Sequence, residues 1–442
     1  MNIRMLSIIS VLPAALASFA APKATVTSFS QDAGSGLVSV SYTVDEKCIV
    51  TPEFFSAGEP VAHAAYADFL AGAINREVSA GTVHSFAWMP DAAGNGIDLS
   101  GKDLEVRLTA WSLSAPPPYM ALDITVTNNV AYYASSNAVP GGVHDFRYKS
   151  DFVLMRRIPA KNVVWTMGLS RDAAAWDKWS MPGYRKVKLT YDYYIGVFPV
   201  TQRQHERMTG LRPSDFANAE YVGGHPAYMG RPVERVSYDA IRGNELGAAW
   251  PDSDPDKAHG VDAGSAVSNL RAVTGKPLDI PSEAEWEFAC RAGCGADTYN
   301  GRTIMNTDER TSTAEHKLIA RFYSNSKHSI LNGTAEYKSV LPDEGGTATV
   351  GSYEPNWFGI YDMLGNVREW CLDHWAEGKQ DLSTVNVDYA GPAKADVTGQ
   401  DRILKGGSYQ DGAYICSSGN CSKTASSTGS WPTGYRLCMV IK

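Results

Sequence analysis

The chain has 442 residues, of which 44% are hydrophobic and 20% charged, with 40 glycines and 23 prolines. At roughly 150 residues per domain this length predicts two or three domains, and the composition excludes a collagen-like, coiled-coil or disordered chain. Lys and Arg total 40 against 48 Asp and Glu, and the net charge of −8 without a basic run argues against nucleic acid as a partner.

The first 20 residues have the three regions of a secretory signal peptide. Arg4 is followed by an apolar stretch from Met5 to Leu16, and small residues lead to a predicted cleavage site after Ala20. A short buried N-terminal helix is the alternative, which Pro13 disfavours. No later run approaches the ~18 apolar residues of a membrane span. We therefore expect a secreted or periplasmic protein in a compartment that permits disulfides.

Residues 22–111 predict an antiparallel β-sandwich of the immunoglobulin or fibronectin type. Short alternating runs are separated by clusters of Gly, Asp and Asn; they cover residues 25–29, 37–42, 85–88 and 104–110. Three consecutive prolines, Pro116 to Pro118, follow the last run and cannot continue a strand or a helix. We therefore assign residues 112–149 to a Pro-rich linker and lead-in.

Residues 150–442 predict a second domain, in which short helices lie among loops rich in Gly, Asn and Asp. Thr201 and Ser282 each precede Gln or Glu by three positions, which is the pattern of a capping box at a helix start. Ser237 predicts a third helix start, and Gly210 and Gly293 are suitable helix ends. The predicted fold class for the whole chain is α+β.

Several segments of the second domain resemble the formylglycine-generating enzyme family, also called the sulfatase-modifying factor family. They occur in the order of the family, and they are residues 152–160 with 167–168, 194–202, 231–238, 280–288, 355–370 and 404–409 with 434–437. The resemblance covers roughly residues 150–442. It implies a compact α+β fold with limited regular secondary structure, related to C-type lectin-like domains.

The family enzyme converts a cysteine in a C-x-P-x-R motif of a sulfatase into formylglycine, using O₂ and one Cu(I) held by two thiolates. Soft thiolates suit Cu(I). Counting from the retained Ser408, the two ligand positions of the family motif fall on Asp411 and Cys416. A carboxylate is a hard donor that matches Cu(I) poorly. Pairing Cys416 with Cys421 instead restores the ligand spacing, but it requires a five-residue insertion after Tyr409.

A second departure from the family motif is Arg368, which replaces an aromatic residue that lines the enzyme's pocket. Together with Asp411 it predicts a non-oxidase binding module whose ligand is a protein or a glycan, possibly an exported sulfatase. The alternative is a copper-dependent oxidase, in which Cys416 and Ser408 act with Asp411 at the other copper-ligand position.

The resemblance also implies a calcium loop. Its ligands would be oxygens of Asp362, Gly365, Val367 and Glu369, and hard oxygen ligands on a glycine-containing turn suit Ca²⁺. The alternative is a turn in which the two carboxylates accept backbone N–H bonds without an ion.

The seven cysteines are an odd number, so at least one thiol is free. The family places half of a disulfide at Cys290, but Cys438 lies one residue beyond the position of its partner. The pairing therefore stays open among three two-bridge connectivities of Cys290, Cys294, Cys421 and Cys438. A four-cysteine zinc site is the alternative.

Overall fold

The computed structural model of the chain describes residues 21–32, 34–90, 103–168, 184–216, 221–222, 225–243, 260–301, 314–326, 345–375, 381–391, 400–429 and 432–441. The predicted signal peptide, residues 1–20, lies outside the described residues. Within these ranges, no helix has both the length and the apolar character to cross a membrane.

The N-terminal domain is a β-sandwich, as the sequence predicts. Its strands are β1 (Ala24–Gln31), β2 (Val38–Val44), β3 (Cys48–Ser56), β4 (Glu59–Pro60), β5 (Leu70–Gly72), β6 (Arg76–Val78), β7 (His84–Trp88) and β8 (Leu104–Trp111). One sheet has the order β1-β2-β7-β5; in the other, β3 pairs with β4, β6 and β8. The alternation along β2 explains the packing, because Val38, Val40 and Tyr42 are buried while Ser39 is exposed.

The second domain combines short strands with five helices among its described residues. The strands are β9 (Tyr119–Asp123), β10 (Val130–Tyr133), β11 (Phe152–Ile158), β12 (Val164–Met167), β13 (Arg185–Lys188), β14 (Tyr193–Gly196), β15 (Tyr221–Val222), β16 (His225–Pro226), β17 (Ala320–Arg321), β18 (Leu364–Gly365), β19 (Arg368–His374), β20 (Asp381–Val387), β21 (Asp401–Lys405), β22 (Cys421–Ala425), β23 (Thr433–Gly434) and β24 (Cys438–Val440). The helices are α1 (Gln202–Thr209), α2 (Tyr238–Arg242), α3 (Ala266–Thr274), α4 (Glu283–Arg291) and α5 (Ala314–Ile319).

The segment that we assigned to a linker and lead-in contains two strands of the second domain. Strands β9 and β10 continue a sheet of order β10-β9-β11-β14-β24. All five residues of β9 are buried, so this strand belongs to the core. Strand β8 ends at Trp111, before the three prolines at 116–118, and the chain enters the second domain immediately after these prolines, about 30 residues before the predicted boundary at 150.

The predicted helix starts are confirmed. Thr201 and Ser282 form capping boxes at α1 and α4, and the Ser237 hydroxyl accepts the N–H of Ala240 at α2. Helix α4 ends at Arg291, and its C-cap is Ala292 rather than the predicted Gly293, because Ala292 takes the left-handed conformation at φ 47°. Helix α3, capped by Ser265, is not among the predicted helices.

The two domains are joined by apolar and charged contacts. Ile49 of the sandwich packs in the same hydrophobic cluster as Met120 and Leu122 of the second domain. Glu77 of β6 pairs with Lys276 at 2.6 Å, and the Tyr132 hydroxyl donates to the same carboxylate at 3.3 Å. The sandwich is therefore packed against the second domain through β3 and β6.

Candidate functional site

The site predicted from the motifs is formed by the turn after β21 and by the start of β19. Gly406 and Gly407 both have positive φ, at 86° and 68°. A Cβ on Gly407 would lie 2.8 Å from the Cys416 sulfur, so only glycine lets the chain pass this close to the thiol. The turn places Ser408 and Asp411 beside Arg368, the first residue of β19.

Asp411 and Arg368, the two departures from the family motif, form an ion pair with each other. The Arg368 Nε donates to Asp411 Oδ2 at 2.9 Å, and Nη2 donates to Oδ1 at 2.5 Å. The Ser408 hydroxyl donates to Asp411 Oδ2 at 2.6 Å. The Asp411 side chain is only 8% exposed and that of Arg368 28% exposed. The carboxylate is therefore occupied by a two-point contact with a guanidinium, the strong form of an ion pair.

Cys416 is fully buried beside this ion pair, and its thiol lies 3.7 Å from the Ser408 carbonyl oxygen. Burial, reinforced by the negative charge of Asp411, raises the pKa of the Cys416 thiol well above its usual range. A protonated thiol is a poor nucleophile and a poor metal ligand.

Cys421 belongs to a different environment. It lies opposite Lys405 in the antiparallel pair of β21 and β22, and burial raises the pKa of its thiol, with Glu283 adding to the rise. The Cys416 thiol instead contacts the Ser408 carbonyl, so the two thiols have different neighbours.

These residues do not fit Cu(I). One of the two positions offers a hard carboxylate that Arg368 already neutralises, so Cys416 is left as the single soft donor at these two positions. A metal cation at Asp411 would also meet the positive charge of Arg368. We therefore derive no step through copper.

The predicted calcium loop is also occupied by protein contacts. The Glu369 carboxylate accepts the Trp286 indole N–H at 2.6 Å and two N–H groups of Arg436 at 2.9 and 3.0 Å. Asp362, four positions before Asn366, accepts the Gly351 N–H at 2.6 Å, and burial raises its pKa to about 6. Gly365 and Val367 are both buried on the turn between these carboxylates. Asp362 therefore accepts a backbone N–H, as in the alternative without an ion, whereas the Glu369 carboxylate accepts side-chain N–H groups.

This donor set, as arranged, does not fit Ca²⁺. Ca²⁺ binds oxygens that are free to approach it, whereas the two Glu369 oxygens point at a guanidinium whose charge would repel the ion. A second cation, the buried Lys149, interacts electrostatically with Asp362. Each of the two carboxylates therefore has a cationic side chain as a neighbour.

We expect no effect of calcium on the thermal stability of the protein. A ligand at 100 times its Kd stabilises the folded state by about 2.7 kcal/mol, which is readily measured as a rise of the midpoint temperature. The measurement compares thermal unfolding in millimolar CaCl₂, in millimolar MgCl₂ and in EGTA. A rise specific to CaCl₂ that Asp362→Asn removes would contradict this expectation and support the calcium loop implied by the family resemblance.

The predicted disulfides are absent from the structure. All seven cysteines lie within the described residues and all are free thiols. The Cys290 sulfur contacts the Ser418 hydroxyl at 3.5 Å, whereas Cys438 interacts with Glu285, so the two thiols have different neighbours. Among the described residues, no three or more His, Cys, Asp or Glu side chains gather into a group that could hold a metal, and the four cysteines of the zinc alternative are among the residues searched.

Sequence reasoning identified Arg368 and Asp411 as separate departures but missed their pairing. The available signal was charge complementarity, because a cation and an anion replace family residues at two positions of one predicted site. It also missed the pairing of Glu369 with Arg436, although both residues belong to the quoted motifs.

Comparison with known proteins gives several relatives and solved structures that match part of the chain. The chain is 28% identical to the chaperone protein LppX of Paenibacillus barcinonensis, over 48% of this chain and 79% of that protein. It is 31% identical to the formylglycine-generating enzyme of Thermomonospora curvata, over 33% of this chain and only 41% of the enzyme. Among solved structures, Treponema denticola variable protein 1 matches with a TM-score of 0.45 and 25% identity, over 65% of this chain and 95% of that one.

The family model of the sulfatase-modifying factor enzyme 1-like domain matches residues 154–441, which begins within β11 and ends just after β24. This range contains Arg368, Asp411, Cys416 and the Asp362–Glu369 turn. The match extends over more than half of the chain, and the chain therefore belongs to the sulfatase-modifying factor family.

Proposed function

We propose that this chain is a non-oxidase binding module that uses the sulfatase-modifying factor scaffold to hold a polypeptide ligand. The observation that carries the proposal is the ion pair between Asp411 and Arg368, which takes one of the two copper-ligand positions. The remaining thiol, Cys416, is buried and its pKa is raised. A single thiol lacks the second soft ligand that a two-thiolate Cu(I) site needs.

The choice of a polypeptide as ligand is supported by the relative LppX, which is described as a chaperone protein and of which 79% is covered by the match. The formylglycine-generating enzymes are matched over less than half of their length. An exported sulfatase is one candidate partner, and export itself is proposed from the N-terminal sequence. A glycan is the second class of ligand.

The test is to measure bound copper and peptide conversion with the same protein. The purified chain is reduced and incubated with Cu(I), excess metal is removed, and copper per chain is measured by elemental analysis. The sample is then incubated in air with a C-x-P-x-R peptide, and the peptide mass is measured. We expect substoichiometric copper and an unchanged peptide, under conditions in which a two-thiolate family enzyme turns over.

The second candidate function is that of a copper-dependent oxidase acting on a sulfatase cysteine. Retention of Ser408 and Cys416, both buried at the expected positions, favours it. Stoichiometric copper together with a formylglycine product would establish this function and contradict the binding module. Loss of that activity in Cys416→Ala and in Cys421→Ala would then identify the second sulfur ligand.

A further inference from the structure

A groove of about 430 Å³ lies between helix α5 and the segment that leads to β18. One wall carries Lys317 and Leu318, and the other carries Tyr353, Glu354 and Pro355. None of these residues belongs to the Arg368–Asp411 site. The volume lies within the ~300–1,000 Å³ range of ligand sites.

The floor of the groove is held rigidly. The Tyr361 hydroxyl lies 3.0 Å from His144 Nε2, and the two rings pack edge to face with centroids 5.0 Å apart. Phe198 packs against Tyr361 at 5.2 Å. Gly351, with a φ of 76°, lies directly against Phe198. A Cβ at this position would lie 2.7 Å from the Phe198 ring, so only glycine fits here. The floor therefore cannot collapse to fill the groove.

The two walls are tied together through their backbones. The Glu354 N–H donates to the Leu318 carbonyl at 2.9 Å. The buried Tyr299 hydroxyl lies within hydrogen-bond distance of the Ile319 and Glu354 carbonyls, at 2.9 and 2.8 Å. The groove is thus preformed, and a ligand would lose little free energy to ordering it.

A tryptophan that follows the wall residue Pro355 by two positions, outside the groove lining itself, is presented to solvent. Trp357 is 84% exposed, and Leu318 on the other wall is 52% exposed. The loop that bears Trp357 is fixed by Asn356, which donates to the Ala289 carbonyl at 2.7 Å and accepts the Phe358 N–H at 3.0 Å. An exposed Trp on a rigid loop next to a groove has the character of an interface anchor, because Trp is enriched among residues that dominate binding energy.

The charges at the groove have both signs. Lys317 and Glu354 are exposed, and within the described part of the chain neither side chain has an ion-pair partner. A neutral sugar would leave both charges unused, and a polyanion would be repelled by Glu354. A polypeptide segment with an apolar side chain between an acidic and a basic residue matches the apolar rim and both charges.

We propose that this groove, with Trp357 at its rim, binds a polypeptide segment that carries an apolar anchor flanked by acidic and basic residues. The proposal rests on the proposed function as a polypeptide-binding module and gives that module its contact surface. Trp357 and Leu318 cover the apolar anchor, while Lys317 and Glu354 set the direction of the segment through its charges.

The test uses the full chain and a fluorescein-labelled, reduced and carboxymethylated lactalbumin as a permanently unfolded polypeptide probe. Binding is measured by fluorescence anisotropy for the wild type, Trp357→Ala, Trp357→Phe and Leu318→Ser. The matched control is Leu211→Ser, since Leu211 is 64% exposed and does not line the groove. We expect Trp357→Ala to weaken binding at least about tenfold, Trp357→Phe to retain most of it and Leu211→Ser to change nothing.

The charge requirement is tested with two synthetic peptides that share one apolar anchor, flanked by one acidic and one basic residue in opposite orders. We expect the wild type to prefer one order and the variant with Lys317→Glu and Glu354→Lys to prefer the other.

If the wild type binds the unfolded probe but Trp357→Ala binds it equally well, the groove proposal is wrong while polypeptide binding stands. If the wild type does not bind the probe, both proposals fail. Tryptophan quenching by a neutral oligosaccharide, lost in Trp357→Phe, would identify a glycan groove and overturn the polypeptide assignment.

Discussion

Arg436→Met is expected to destabilise the second domain by about 3–5 kcal/mol, the range found when one partner of a buried ion pair is removed. The Arg436 and Glu369 side chains are 0% and 1% exposed. The guanidinium also donates to the Gly196 and Tyr361 carbonyls at 2.7 and 2.8 Å, so its loss leaves several buried acceptors without a partner. Urea unfolding followed by near-ultraviolet circular dichroism measures the change in the free energy of unfolding.

The control for this prediction is an exposed ion pair in the other domain. Arg107 and Glu105 pair at 2.7 Å, but both side chains are more than half exposed. Arg107→Met is therefore expected to lower the free energy of unfolding far less than Arg436→Met does, because solvent screens an exposed pair. The double variant with Arg436→Met and Glu369→Gln should recover part of the loss, because no uncompensated charge stays buried. A cost below about 1 kcal/mol for Arg436→Met alone would show that the carboxylate does not depend on this guanidinium.

Replacing the Asp411 and Arg368 pair together, as Asp411→Cys with Arg368→Trp, is expected to create a site for Cu(I). The change removes a hard carboxylate and a repelling cation and supplies a second thiol near Cys416. Soft thiolate pairs suit Cu(I). We expect the affinity for Cu(I) to rise, relative to the wild type, by more than the ~10–100-fold that residues in contact with metal ligands contribute. Competition with a colorimetric Cu(I) chelator measures this affinity.

One single variant and one triple variant separate the effect of removing the Arg368 cation from the effect of supplying a second thiol. Asp411→Cys alone keeps the Arg368 cation at the site and should bind Cu(I) more weakly than the double variant. The triple variant that adds Cys416→Ala should lose the gain, since it again leaves one thiol. An equal Cu(I) affinity for the wild type and the double variant would contradict the view that the ion pair is what excludes the metal. Far-ultraviolet circular dichroism checks that each variant is folded.

Local patterns in the sequence predicted much of the fold. The alternation of Val38, Val40 and Tyr42 depends only on the two-residue period of a strand, and it correctly placed β2 in a sandwich core. The capping boxes at Thr201 and Ser282 depend on groups three positions apart, and both helices begin there. Strand β9 was missed because its five buried residues do not alternate, as expected of a strand covered on both faces.

The sequence by itself determined the family and the α+β fold class, and it predicts that Asp411 stands at one of the two copper-ligand positions of the family motif. Only the tertiary structure decided which residue Asp411 contacts. Asp411 and Arg368 lie 43 positions apart in the sequence. No local pattern predicts that β19 places the Arg368 guanidinium against the Asp411 carboxylate. The same holds for Glu369 and Arg436, which are 67 positions apart, and for the groove whose walls α5 and Tyr353–Pro355 provide. Ion pairs and grooves depend on distances in space, which follow from the packing of the whole domain and not from the spacing of residues along the chain.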